Sequence, residues 1–383
     1  MSAPLSHPPA AQVTDLIRPE LRALRAYHVP DASGLIKLDA MENPYGWPAP
    51  LQADWLETLR EVALNRYPDP QGRALQATLR EVMGIPAEMG LLLGNGSDEL
   101  IQMLALAVAV PGRRLLSLEP GFVMYRLIGL FAGLDYVGVP LRAPDFALDL
   151  DLTLAAIEAQ RPALIFIAYP NNPTGNLFDA AAIEQIIAAA PGLVIIDEAY
   201  APFTDASFLP RLGEWSNLLV LRTVSKMGLA GLRLGYLAGP RPWIEQIDKV
   251  RLPYNINVLT QASAIFALRQ QALLDAQTTS IRHGRSRLLA ALRDLPGVEP
   301  WPSEANFILM RTAPGRADAL FDGLRARGVL IKNLHGAHPQ LADCLRVTVG
   351  TPEENAALLG ALAKALAESA GGDVAAAGAG REG

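Results

Sequence analysis

Three apolar runs in the middle of the chain are continuous rather than alternating: "ALIFIAYP" (163–170), "LVIID" (193–197) and "LLVLRT" (218–223). A strand with one wet face alternates apolar and polar positions, so unbroken Leu/Ile/Val runs predict strands buried on both faces. Around these runs the period lengthens. "GRALQATLREVMG", "SDELIQMLALAVA", "LIGLFAGL", "TLAAIEAQ" and "DAAAIEQIIAAA" read as helices, while "GLLLG", "RRLLSLEP" and "DYVGVPL" read as further strands. Strands alternating with helices predict an α/β architecture, a mainly parallel sheet between helices. Ligands of such sheets collect beyond the carboxyl ends of the strands. Asn172, Asp197 and Lys226 fall at or just after such ends.

Beyond "YLAGP" (236–240) the texture changes. Residues 256–295 read as one or two long helices. Three short strands follow, "ANFILMR", "GVLIK" and "CLRVTVG", with helical "RADALFDGLRARG" between the first two, so a smaller α+β unit is expected. Residues 1 to about 35 are polar and proline-marked, with one amphipathic piece, "DLIRPELRALRAY". The last segment, "ESAGGDVAAAGAGREG", is Ala/Gly-rich without periodicity and reads as a disordered tail.

Composition removes several classes of function. The 383 residues suffice for about two domains. A formal net charge of -6 argues against a general nucleic-acid binder, which needs a basic face. Cys344 is the only cysteine, which excludes an intramolecular disulfide and a multi-thiolate zinc site. His335 and His338 are the only close histidine pair and lack a third ligand nearby, so no metal is expected. The start, "MSAPLSHPPA", has neither the basic nor the apolar region of a secretory signal. The longest apolar stretch, "LIQMLALAVAV", is far shorter than the roughly 20 residues of a membrane span. A cytoplasmic protein is expected.

Four stretches carry candidate chemistry, each with a plainer alternative. "GNGSDEL" sets two glycines and a serine before a helix, where unpaired amides and the helix dipole suit a phosphate. Taken alone, simple capping by Ser or Asp is the plainer explanation, and Asp98 and Glu99 oppose an anion unless they turn away. "YPNNPTG" is a tight turn that also presents amide donors at a strand end. "LVIIDEAY" buries Asp197 behind four apolar residues. That requires a partner, either helix amides or a protonated ring nitrogen. "TVSKMGLAGLRLGY" offers Lys226 as a Schiff-base amine and Arg233 as a phosphate anchor, or two ordinary turn residues. Together, in order and at successive strand ends, the four are the equipment that holds pyridoxal phosphate.

"NNPTG", "DEAY" and "SK…GLAGLR" together resemble the fold-type I, class I/II aminotransferases, over most of the chain. "IKLDAMENPYG", "NRYPDPQG", "LPYNIN", "EANFILMR" and "CLRVTVGT" further resemble the histidinol-phosphate aminotransferases among them. The resemblance implies an arm over residues 1–45 packing on the small domain or a partner subunit. A large cofactor-binding domain over 46–270, a small C-terminal domain over 271–369 and a tail over 370–383 follow. It implies that Lys226 holds pyridoxal 5'-phosphate covalently and shuttles a proton. Asp197 then pairs with the pyridinium nitrogen, and Asn172 and Tyr200 bond its phenolic oxygen. Phe122 stacks on the ring, and Ser97, Asp98, Glu99, Thr223, Ser225 and Arg233 line the phosphate site. Tyr67 reaches the neighbouring subunit's cofactor, which makes a homodimer with shared sites the active unit. Arg346 and Lys332 bind the substrate anion, and Asn43 and Tyr45 sit at the substrate mouth. The implied reaction is transfer of the amino group from L-histidinol phosphate to 2-oxoglutarate in histidine biosynthesis.

Three departures from the family pattern bear on these roles. Met41 stands where many members have asparagine, and Lys332 where many have arginine, which loses the bidentate fork. The interval from Lys226 to Arg233 is one residue shorter than usual, which Gly228 and Gly231 are expected to accommodate. An aromatic amino-acid aminotransferase and an amino-acid phosphate decarboxylase remain alternatives on the same scaffold. A transcription regulator with an aminotransferase-like domain needs a DNA-binding module that the roughly 40 residues before "ENPYG" do not supply.

Overall fold

The computed structural model describes residues 10–26 and 29–379. The first nine residues of the expected arm, including nearly all of the "MSAPLSHPPA" start, and the last four of the expected tail lie outside the described residues. The strands, in chain order, are β1 (Ile36–Lys37), β2 (Met89–Gly94), β3 (Arg114–Glu119), β4 (Asp135–Pro140), β5 (Leu164–Ala168), β6 (Leu193–Asp197) and β7 (Leu218–Thr223). They continue with β8 (Gly235–Pro240), β9 (Val298–Pro300), β10 (Phe307–Thr312), β11 (Val329–Leu330), β12 (Lys332–Asn333) and β13 (Cys344–Thr348).

β2 to β8 build a seven-stranded sheet in the order β2-β8-β7-β6-β5-β3-β4. From β7 to β4 every pairing is parallel, and β8 runs antiparallel to both of its neighbours. Every residue of β2, β5 and β6 is buried, the physical counterpart of the unbroken apolar runs. Alternate side chains feed opposite faces. Ile165, Ile167, Val194, Ile196 and Val220 enter one core, and Leu164, Phe166, Leu193, Ile195 and Leu221 enter the other. The chain order reverses between β3 and β5, so a crevice opens at their carboxyl ends.

β12, β13, β10 and β9 form a second, antiparallel sheet covered by the helices Gln271–Arg293 and Ala317–Ala326. Its core joins Ile281, Leu288, Phe307, Ile308, Val347 and Leu358. "GVLIK", expected as one strand, serves two sheets. Val329 and Leu330 pair in parallel with Ile36 and Lys37, whereas Lys332 and Asn333 pair with β13. Tertiary pairing with the arm divides the segment, a long-range choice that no local pattern encodes. The last helix runs Pro352–Ala379, through positions read above as a structureless tail. Alanine has the best intrinsic helix propensity, so an Ala-rich run extends a helix that is already nucleated. The helix Ala49–Arg60, which the apolar pattern left unassigned, has no buried residue. No helix among the described residues is long and apolar enough to cross a membrane.

Candidate active site

Four chain segments meet at the carboxyl end of the parallel strands. Asp197 closes β6, opposite Ala168 on β5 and Leu221 on β7. Thr223 closes β7 opposite Gly235, which opens β8. A Cβ on Gly235 would stand 2.8 Å from the backbone of Gly96 and Ser97, so glycine permits the helix Ser97–Val108 to start against the sheet. The β1–β11 pairing lays the arm across the top, bringing the Ala40 carbonyl oxygen within 3.3 Å of Lys226 Nζ.

A cavity of about 220 Å³ is lined by Ser97, Asp98, Phe122, Asn172, Asp197, Tyr200, Thr223, Ser225, Lys226 and Arg233. Ten of the residues expected around the cofactor therefore share one enclosure. Asp197 is buried. Its Oδ2 accepts from the Tyr125 hydroxyl at 2.6 Å and its Oδ1 from the Ala199 amide at 3.0 Å. Burial still pushes its carboxyl up to about 6, the tyrosine and amide opposing that shift. Lys226 is pushed down to about 8, first by burial and then by the nearby Arg346 guanidinium. Burial raises the Tyr200 and Tyr125 hydroxyls, which stay protonated.

The anion cradle is built by shape as much as by charge. The helix at Ser97 has no side-chain cap, so its first amides are left for a ligand. Gly96 has φ +83°, and a Cβ there would lie 2.6 Å from Arg233 Nη2, so only glycine lets that guanidinium close over the helix start. Glu99 turns away: its Oε2 accepts from the Asn95 amide at 2.6 Å and from Asn255 Nδ2 at 2.8 Å. Asp98 stays, 3.9 Å from Arg233, with a buried Oδ1 that has no hydrogen-bond partner among the described residues. Burial raises its carboxyl above the usual range. Thr223 Oγ1 accepts from the Ser225 amide at 3.1 Å and donates to the Leu234 carbonyl at 3.0 Å, tying the lysine turn to the loop after Arg233.

The short Lys226–Arg233 interval folds as two 3₁₀ turns, Ser225–Met227 and Ala230–Leu232, around Gly228 at φ +111°. Gly231 lies inside the second turn with no positive φ. Arg233 itself adopts φ +49°. The tightening thus falls on Gly228 and Arg233, not on the two glycines as expected.

A second cavity of about 370 Å³ adjoins the first, sharing Met41, Phe122 and Asn172, and contains Lys332 and Arg346. These two face one another across β12 and β13. Arg346 donates to Asn172 Oδ1 at 2.5 Å and to the Asp39 carbonyl at 3.2 Å, and lies 5.1 Å from the centre of the Phe307 ring. Asn172 Nδ2 donates in turn to the Tyr200 hydroxyl at 3.2 Å, which itself donates to Met41 Sδ at 3.1 Å.

Four expected site residues stand outside both cavities: Glu99, turned away as described, and Asn43, Tyr45 and Tyr67. Asn43 spends its amide on Gln277 Oε1 and its oxygen on the Tyr45 amide, and Tyr45 packs on the second core. Tyr67 is 80% exposed and stacks on Tyr254 at 4.4 Å. Two residues escaped the sequence reading. Tyr125, which holds Asp197, lies in the first turn of the helix Val123–Ala132, its ring edge-on to that of Phe122 at the N-cap, 5.4 Å between centres. Glu198, in "DEAY", is fully buried and accepts from Arg222, Ser207 and the Phe208 amide, which pins the loop after β6.

The profile of the family described as aminotransferase class I and II matches residues 33–362, most of the chain. The chain belongs to the class I and II aminotransferases. Among relatives of this aminotransferase, histidinol-phosphate aminotransferase 2 of Nitrosococcus oceani is 58% identical over 351 residues, 92% of this chain and 97% of that one. Histidinol-phosphate aminotransferase of Chromobacterium violaceum is 56% identical over 91% of this chain and 98% of its own. The crystal structure of histidinol-phosphate aminotransferase from Sinorhizobium meliloti in complex with pyridoxal-5'-phosphate superposes with a TM-score of 0.82 at 26% identity. It covers 92% of this chain and 98% of that one.

Proposed function

We propose that this aminotransferase binds pyridoxal 5'-phosphate in the 220 Å³ cavity and transfers the amino group of L-histidinol phosphate to 2-oxoglutarate, a step of histidine biosynthesis. The observation that carries the reading is the donor set of that cavity. A glycine cradle closed by Arg233 suits the phosphate, the Asp197 carboxylate suits a cationic ring nitrogen, and the Asn172–Tyr200 pair suits an oxyanion. When bound, pyridoxal phosphate provides an electron sink for the amino carbon of the substrate.

The protein's own contribution is placement and proton management. Lys226, lowered to about 8, is neutral in a sizeable fraction near physiological pH, as a nucleophilic amine and a proton carrier must be. Asp197 keeps its charge once a cation faces it, because an opposite charge offsets the burial that raised it. Tyr125, stacked on Phe166 at 4.7 Å, fixes the orientation of that carboxylate. Arg346 and Lys332 supply two cations on adjacent strands for the phosphate of the donor and a carboxylate of the acceptor. Arg346 is already held by Asn172 and Asp39, so little ordering remains to be paid on binding.

The same reading takes residues 46–270 as the cofactor-binding part and 271–369 as the smaller part that carries Lys332 and Arg346. The exposed Tyr67–Tyr254 stack, remote from this chain's own cavity, supports a homodimer in which Tyr67 completes the partner's site. Specificity constants for L-histidinol phosphate, phenylalanine and phosphothreonine test the assignment. A clear preference for phenylalanine, or decarboxylation of phosphothreonine, overturns it.

A further inference from the structure

The 370 Å³ cavity has one feature that anion binding does not use. Glu119, the last residue of β3, lines it from the large sheet, whereas Lys332 and Arg346 line it from the small one. A carboxylate at this position repels a phosphate or a second carboxylate and complements a hydrogen-bond donor or a cation. Its placement is built. Gly138 on β4 pairs with Ser117, and a Cβ there would overlap the Glu119 carboxylate, so the absent side chain is the space the carboxylate occupies. Tyr136 stands beside it with its hydroxyl bonded to Ser117 Oγ at 2.7 Å, and Arg126 lies 5.8 Å from the centre of the Tyr136 ring. His338 faces Glu119 from the other wall, Nε2 to Oε2 4.0 Å. Its Nδ1 accepts from the Gln340 amide at 3.2 Å, which puts the ring proton on Nε2, toward the carboxylate.

We propose that Glu119 is a specificity residue of the amino-donor site, accepting a hydrogen bond from the ring N–H of the substrate imidazole while Lys332 and Arg346 hold its phosphate at the opposite wall. The inference rests on the substrate reading given above and deepens it. An imidazole presents an N–H donor in either tautomer, whereas a phenyl ring presents none. A phenyl ring in this position covers the carboxylate without offering it a donor, which is how a polar pocket rejects an isostere. Gly138 and His338 are positioning residues: the first leaves room for the carboxylate, and the second holds it from the far side.

The test uses the holoenzyme and two unreactive ligands, 3-(imidazol-4-yl)propyl phosphate and 3-phenylpropyl phosphate, with Kd measured by calorimetry at about pH 8.5, where the imidazole is neutral and the two carry equal charge. Wild type is expected to favour the imidazole ligand. Glu119→Met, which keeps bulk and removes the acceptor, is expected to erase about 10- to 100-fold of that preference. Glu119→Gln, which keeps a carbonyl acceptor, should retain most of it. Gly138→Ala should displace the carboxylate and mimic Glu119→Met. The kcat/KM for L-histidinol phosphate should follow the same order, with the change carried by KM rather than kcat. Equal weakening of both ligands in Glu119→Met, or an unchanged preference, overturns the role of Glu119 while leaving the reaction assignment intact. Wild type that turns over histidinol phosphate no better than phenylalanine overturns the assignment itself.

Discussion

Replacing Asp197 by asparagine should stabilise the cofactor-free protein while it cripples turnover. Burial raises the folded-state carboxyl from 3.8 to about 6 despite the hydrogen bonds from Tyr125 and Ala199. A displacement of about two on the pH scale, at about 1.4 kcal/mol each, means that holding this charge costs about 3 kcal/mol in the absence of a cation. Because the folded-state value lies above the unfolded one, the unfolded carboxyl releases its proton first as pH rises. Wild type therefore loses this stability between about pH 4 and 6, and the full cost is present at pH 8. Asparagine resembles the neutral acid, keeping an acceptor for one neighbour and offering an amide to the other. Urea unfolding of the two cofactor-free proteins should show the variant more stable by about 2–3 kcal/mol at pH 8 and by about half of that at pH 5. Transamination should fall by about 10²–10⁴-fold, since the ring nitrogen loses its anionic partner. A variant no more stable than wild type at pH 8, or equally advantaged at both pH values, refutes the reasoning. Opposite movement of stability and activity is the mark of a strained functional group.

Other expectations follow from the same site. Gly96→Ala forces both a positive φ and a clash with Arg233, so the cofactor dissociation constant should rise by about 10-fold or more, read by dialysis and fluorescence. The rate of cofactor uptake by the free protein should climb with pH and level off with a midpoint near 8, because Lys226 must be neutral to react. A stopped-flow profile still rising above pH 10 contradicts its lowered value. Lys226→Ala should remove turnover and covalent retention of the cofactor together, as mass spectrometry after borohydride reduction reports. Glu198→Gln leaves Arg222 without its buried counter-charge and should destabilise the fold by about 3 kcal/mol or more in urea titrations, with little change in cofactor spectrum.

Local chemistry made much of this protein legible from its sequence. The unbroken apolar runs specified strands buried on both faces, because no other arrangement hides such a run, and the sheet has β5 and β6 fully enclosed. The polar residues terminating those runs therefore had to lie at the sheet's carboxyl edge, and Asn172, Asp197 and Lys226 do meet there. Resemblance supplied their roles. What the sequence left open depends on contacts between distant segments. Whether Glu99 opposes a phosphate or turns away is decided by Asn255, 156 residues later. Whether "GVLIK" is one strand or two is decided by the arm at Ile36 and Lys37. The polarity of β8, the burial that moves Lys226 and Asp197 toward each other on the pH scale, and the enclosure of Glu119 opposite two cations likewise belong to the assembled chain. Periodicity reports which face of an element is dry, but desolvation and charge pairing are sums over neighbours, and only the tertiary structure selects the neighbours.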